Sequence, residues 1–386
     1  MVGLMPEMGK AQQYPATPPQ KTFHVAIFAP LYLDSLFTKG TLRYQAALPK
    51  FIMPGVDFVQ GARIAVDTMA LNGRQLEVYF FDSESSTQPV DQLINTGKLA
   101  KMDLIIGAVK GNAYSLLASY ALGRNIPFVS ATYPNNGGIT ANPYLIVVNS
   151  TLRAHCEGIF SYLLQNHGTD NIYLVKASGD DRIDNYFTRL NYAEGRPMLN
   201  IRTIVVDSTF NPASLTNRID TSRPDVVIGA SLDESFAKTL ADACFPIHKT
   251  HPLLLFGMPN WYGFRSLYNK NELKDFPIFF TTPHYEDKGS DFDSLLSRKY
   301  YQQYRTKPSD MAYKGFGITW YFIHLLLAHP YDFMAHLNDT TYSVFHDFNF
   351  RPVYTTQTQT QVYPDYYENK HLFVMEILNG EIIREW

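Results

Sequence analysis

The sequence predicts an α/β protein of two lobes, each built on a doubly wound parallel sheet. Short apolar runs that stop at Pro, Asp or Gly alternate with stretches of helical period, and they do so in two successive series. Parallel strands need crossover connections, so this repetition implies a parallel sheet covered on both faces. At 386 residues the chain also exceeds what one ordinary core encloses, and two domains are expected.

The first series opens at 24–31 (HVAIFAPL), an apolar run halted by Pro30, as suits a buried parallel strand. Pro54-Gly55 starts a helix whose Phe58, Ala62, Ala65 and Met69 share one face, and it ends near Asn72-Gly73. The second strand is 76–81, and after a Ser-rich turn comes a helix with Val90, Leu93, Ile94 and Gly97. The third strand is 103–109. Ala113, Leu116, Leu117, Tyr120 and Ala121 then form a helical stripe that Gly123 terminates, before a fourth strand at 127–130.

The second series reads as strands at 144–148, 171–177, 201–206, 225–230, 252–257 and 276–282. Between them lie one helix holding Cys156, Ile159, Phe160, Leu163 and Leu164, and another holding Phe236, Leu240 and Cys244. Two helices follow near 292–304 and 312–329. The last is apolar nearly all round (WYFIHLLLA) and should be buried. Alternating Thr and Gln at 355–361 read as an edge strand. Asn379-Gly380 is a hairpin signal that should fold 381–383 back on a closing strand at 372–378.

The segments VAIFAPL, GVDFVQGARIAVDTMA, DLIIGAVKGNAYSLLASYALGRNIPFVSA, PDVVIGAS and TTPHYED through KPSDMAYKGFGITW carry a family likeness in their order and spacing. From His24 to the C-terminus the chain resembles type I periplasmic binding proteins, the group that includes Leu/Ile/Val-binding proteins and receptor ligand-binding regions. The resemblance implies three crossings between lobes, near Val148-Asn149, Thr282-Pro283 and 336–341. Lobe one would be 22–147 plus 284–336, and lobe two 148–283 plus 337–386, with 1–21 a leader or signal remnant. It further implies a non-enzymatic, exported protein that closes on a small polar ligand, an amino acid or a related molecule. Its partner would be a membrane permease. The alternative is an envelope sensor or accessory protein that uses the same fold with a degenerate pocket to regulate an envelope receptor.

Parallel sheets bind ligands beyond the C-terminal ends of their strands, which selects the candidate residues. In lobe one, Lys110 and Asn112 stand at a helix start, where charge and free backbone N–H groups suit an anion. A solvated surface lysine is the equal alternative. Ser130, Thr132 and Tyr133 form the next tip. The amino-acid-binding members of the family place a Ser hydroxyl in the loop after the third strand. This chain has no Ser between Gly107 and Asn112, so an α-amino acid is only one candidate ligand. In lobe two, Asp180 and Arg182 could meet a zwitterion, or an Asp could cap the following helix. Asp233 reads the same way, with Ser231 nearer the ligand. Trp261 and Tyr285 could stack on a ligand or pack between lobes.

Other chemistries find no support. A net charge of −3 supplies no basic field for nucleic acid or an anionic membrane. The chain has no GxSxG elbow, HExxH, phosphate loop or paired-Cys motif, so no catalytic, cofactor or metal residues are assigned. His248 and His251 lie between Pro246 and Pro252 and read as surface polarity on a loop. The two cysteines sit on apolar stripes and read as buried thiols, with pairing left open. No run approaches the ~20 apolar residues of a membrane span. Residues 1–11 resemble the tail of a secretory signal, followed by a polar, Pro-rich tether.

Overall fold

Two seven-stranded sheets organise the chain in the computed structural model, which describes residues 21–44, 47–207, 215–286, 288–345, 347–355 and 362–385. The leader through residue 20 and positions 356–361 of the Thr-Gln stretch therefore lie outside the described residues.

The first sheet is laid down by β1 (Thr22–Ala29), β4 (Gln75–Asp82), β5 (Leu104–Gly107), β6 (Phe128–Ser130) and β7 (Leu145–Val147), with β2 (Phe37–Thr38) and β3 (Thr41–Leu42) forming a small hairpin apart. All five pair in parallel, with Val25 opposite both Val78 and Leu104. The second sheet uses β8 (Asn171–Ala177), β9 (Ile201–Val206), β10 (Asp225–Gly229), β11 (Leu253–Phe256) and β12 (Ile278–Thr282), again parallel. Late strands complete both: β13 (Phe350–Val353) and β14 (Tyr366–Asn369) join the first sheet, while β15 (Phe373–Leu378) and β16 (Glu381–Arg384) join the second. The final strand orders are β13-β14-β7-β6-β5-β1-β4 and β16-β15-β12-β11-β10-β8-β9.

The helices are α1 (Leu33–Leu36), α2 (Met53–Val66), α3 (Val90–Asn95), α4 (Gly111–Arg124), α5 (Leu152–Asn166), α6 (Arg182–Asn191), α7 (Glu234–His248), α8 (Asp291–Tyr304) and α9 (Asp310–Ala328). The apolar α9 is buried as expected, and its main partner is α2. The two backbones approach so closely that a Cβ at Gly61 would stand 1.9 Å from the Ala312 carbonyl oxygen, and one at Gly315 would stand 2.0 Å from that of Phe58. Separate cores fill the two lobes, one around Trp261, Phe187 and Phe256, the other around Phe58, Phe316 and Tyr321, with a third cluster under α4.

Three details differ from expectation. β14 pairs in parallel with β7, so residues 350–369 belong with the first sheet and the last change of sheet falls between Asn369 and Phe373, not at 336–341. The segment 336–341 instead folds into 3₁₀ turns beside the end of α9. Helix α4 continues to Arg124 and is closed by Asn125 in the left-handed region at φ 54°, a role the sequence suggested for Gly123. Helix α7 continues through Pro246 to His248, so the proline sits inside its last turn and does not end it.

The same region corrects the loop histidines. His251 is not surface polarity: its half-buried side chain packs against the buried Asp225, with Nε2 2.9 Å from Oδ2. His248 spans the carbonyls of Leu253 and Asp275 at 3.0 and 3.2 Å. Cys156 and Cys244 are free and fully enclosed, and burial pushes both thiols up, that of Cys156 to about 12. No helix among the described residues is long and apolar enough to cross a membrane.

Candidate functional site

Strand direction decides where the lobes meet. The chain leaves the first sheet after the C-terminal ends of β7 and β14, and the second after the C-terminal end of β12. It enters the second sheet last at Phe373, and because β15 runs antiparallel to β12, Phe373 lies opposite Thr282 at that same edge. All three crossings therefore sit at the C-terminal edges of the two sheets, and the loops following the parallel strands share the space between them.

The crossings are tied to one another. Ser150 Oγ donates to the Asn369 carbonyl at 2.7 Å, and the Thr151 N–H donates to Glu368 Oε1 at 2.8 Å. Lys370 Nζ lies 2.5 Å from Glu368 Oε2 and 2.8 Å from Glu157 Oε2. His155 Nδ1 meets Thr281 Oγ1 at 2.8 Å, joining α5 to β12.

At the lobe-one edge, Asp82 accepts backbone hydrogen bonds from Leu31, Tyr32, Leu33 and Glu84, at 2.7 to 3.1 Å, and so sets the loop after β1. Lys110 is exposed as the N-cap of α4, and no side chain caps that helix start. Asn112 is also exposed, one residue into the helix. Thr132 is half-buried, with its carbonyl accepting from Asn149 Nδ2 at 2.8 Å. Ser130 ends β6, but its side chain is turned inward from the edge. Its hydroxyl is fully buried facing that of Tyr114, and the Tyr133 ring packs edge-on to Tyr114 with centroids 5.1 Å apart.

At the lobe-two edge, Asp180 and Arg182 flank the start of α6, and Arg182 is exposed. Between them, Asp181 pairs with Lys176, which also lies 3.3 Å from Asp184. Asp233 caps α7, with Oδ1 accepting from the Phe236 N–H at 2.8 Å. Ser231 is turned inward, its hydroxyl accepting from the Asp233 N–H and its carbonyl from Trp261 Nε1. Trp261 cannot stack on a ligand in this arrangement, because its ring is fully enclosed. The ring lies on Gly229 and Gly257, where an added Cβ would come within 2.4 and 2.1 Å of it. Tyr285 packs on Phe373 at 5.6 Å, with the Arg384 guanidinium over its ring. It lines a cavity of about 340 Å³ by the last crossing, with Phe345, Asp347 and Arg384.

Four residues that sequence reasoning passed over stand together between the lobes: Tyr262 from the turn after β11, Glu286 past β12, and Asp310 and Lys314 in the first turns of α9. Burial raises the Glu286 carboxyl well above the usual range, and the Asp310 charge and a hydrogen bond to Asp310 raise it further, against the pull of Lys288 and Lys314. Burial lowers the Lys314 ammonium, opposed by Asp310 and Glu286. The Tyr262 hydroxyl is raised by burial and then by Asp310, so a lobe-two side chain senses a lobe-one charge. No motif marks these residues; the four-residue step from Asp310 to Lys314 is their only local signal.

The Periplasmic binding protein family model matches residues 51–367. The chain belongs to the periplasmic binding protein family. The chain shares its fold with solved structures at low identity. One is the periplasmic ligand-binding protein of a branched-chain amino acid ABC transporter from Burkholderia xenovorans, 11% identical, with a TM-score of 0.59 and 95% of each chain covered. Another is an ABC transporter substrate-binding protein from Desulfitobacterium hafniense in complex with Leu, 11% identical, with a TM-score of 0.55, covering 95% of this chain and 100% of that one. A third is full-length LpoA from Haemophilus influenzae, 15% identical, with a TM-score of 0.56; 95% of this chain aligns with 59% of that one. No curated protein is similar enough in sequence to count as a relative.

Proposed function

We propose that this protein is an extracytoplasmic, non-enzymatic solute-binding protein that closes its lobes on a small polar ligand bearing an ammonium group and an anionic group, and passes it to a membrane permease. The observation that carries the reading is the position of the crossings: a ligand touching both sets of strand-end loops makes its full contacts only when the lobes close. Lys110 and the uncapped start of α4 offer cationic charge and N–H donors to the anionic end. Glu286, raised by burial and by the neighbouring Asp310, is a carboxyl that a ligand ammonium would favour in its ionised state. Family membership and a Leu-bound neighbour support an amino acid or a related solute.

Native mass spectrometry of the purified protein, followed by calorimetry with a panel of amino acids and small amines, tests the reading. A retained or titratable solute is expected. Lys110→Ala and Asp310→Asn should each weaken binding by about 1.5–3 kcal/mol, the range for a hydrogen bond to a charged group. Unchanged affinity in both variants places the site elsewhere, and a cleft that binds nothing in the panel favours the sensor or accessory role. Trp261→Ala would report on the lobe-two core instead of the ligand.

A further inference from the structure

At the far end of α9 the chain reads His329-Pro-Tyr-Asp332-Phe-Met-Ala-His336-Leu-Asn-Asp339, which spaces His, Asp, His and Asp at intervals of three, four and three. The helix stops at Ala328, and a 3₁₀ turn at Phe333–His336 folds the segment back on itself. The His329 and His336 rings consequently lie face to face, with centroids 3.6 Å apart and planes at 11°. Asp332 stands between their nitrogens: Oδ2 is 2.8 Å from His336 Nε2, and Oδ1 is 3.9 Å from His329 Nδ1. One ligand atom from each of the three residues lies within 4.8 Å of the others.

We propose that His329, Asp332 and His336 bind a divalent transition metal of the zinc class, with Asp339 as the positioning residue. Two imidazoles and a carboxylate are a donor set that suits zinc, and three protein ligands leave a fourth position to water. The second observation is Asp339, whose Oδ2 lies 3.3 Å from His329 Nε2. Its Oδ1 accepts from the Thr341 N–H at 3.0 Å, which fixes the carboxylate beside the ring. A carboxylate beside Nε2 leaves Nδ1 on the side of Asp332, the outer arrangement that metal-ligating histidines share.

The metal is not the transported solute. Helix α9 has 19 residues, which at 1.5 Å rise separates its two ends by about 28 Å, and Asp310 of the cleft lies at the other end. A cavity of about 400 Å³ adjoins the site, sharing Asp332 and lined also by Lys21, Arg74 and Tyr331. All three ligands keep some solvent access, with His336 38% exposed.

The test is metal content by mass spectrometry, with zinc calorimetry, on tag-free full-length protein stripped with chelator and dialysed against zinc. One zinc per chain is expected, together with a zinc-dependent rise in melting temperature. His329→Ala with His336→Ala should abolish both, and Asp339→Asn should weaken zinc binding ten- to a hundredfold. His336→Ala alone alters only a partly exposed ring, so its lost binding, with an unchanged circular dichroism spectrum, separates ligation from misfolding. Absence of stoichiometric zinc in the wild type, full binding by His336→Ala, or displacement of zinc by equimolar magnesium would each overturn the proposal.

Discussion

Burial has taken His155 out of the range of a surface imidazole. The ring is fully enclosed at the first crossing and pushed down to about 3, by burial first and the Lys370 charge second. Its folded value lies below the unfolded value of 6.5, so the unfolded chain binds the proton first as pH falls. The stability that neutral His155 preserves is present above about pH 6.5 and is lost progressively below it, with a limiting slope of about 1.4 kcal/mol per pH unit. Urea denaturation between pH 7.5 and 4.5 should therefore show a steeper loss for the wild type than for His155→Gln. Equal slopes would remove His155 as a contributor. His324 and His371, which burial also lowers, would supply the remaining slope in both proteins.

Helices α2 and α9 depend on glycine at their contact. At Gly61 the obstacle is a backbone carbonyl, which cannot rotate aside as a side chain would. Gly61→Ala is expected to cost at least the ~1–3 kcal/mol typical of an overpacked core. The loss should appear as a lower urea midpoint with the m-value unchanged. An unaltered midpoint would mean that the helices separate without penalty. The same contact matters for the cleft, because α9 presents Asp310 and Lys314, and its start is anchored by Ser309 Oγ donating to Asp57 Oδ2 at 2.7 Å.

Among the described residues the chain passes between the two sheets three times, so a ligand between the lobes acts on the whole molecule. Small-angle scattering with and without a bound solute should show a smaller radius of gyration in the bound state. An identical profile at saturation, with binding proven by calorimetry, would sink the closure mechanism and leave a rigid binder. The prediction belongs to this scale because the proposed site draws on strand-end loops of both lobes.

Strand and helix order was legible in the sequence because each depends on local period. The strands 171–177 and 201–206 have the bounds read from the apolar pattern, and the hairpin at Asn379-Gly380 forms where that dipeptide stands, with both residues at positive φ. The polar spacing that makes Asp233 a helix cap was visible too, as one of its two readings. Several misses depended on partners distant in the chain, beside the local ones at the ends of α4 and α7. The short, mostly non-apolar strand 366–369 reads as part of either lobe until its pairing with β7 is known. Trp261 follows a strand tip just as a ligand-stacking ring would, and only the empty space above Gly229 and Gly257 draws it inward. Tyr262, Glu286 and Asp310 come from three separate segments whose charges interact only after folding. Sequence alone thus determined the layered α/β architecture, since hydrophobic period and turn chemistry are local. Only the tertiary structure decided which polar groups face the cleft, since that follows from strand partners and packing space contributed by residues far apart in the chain.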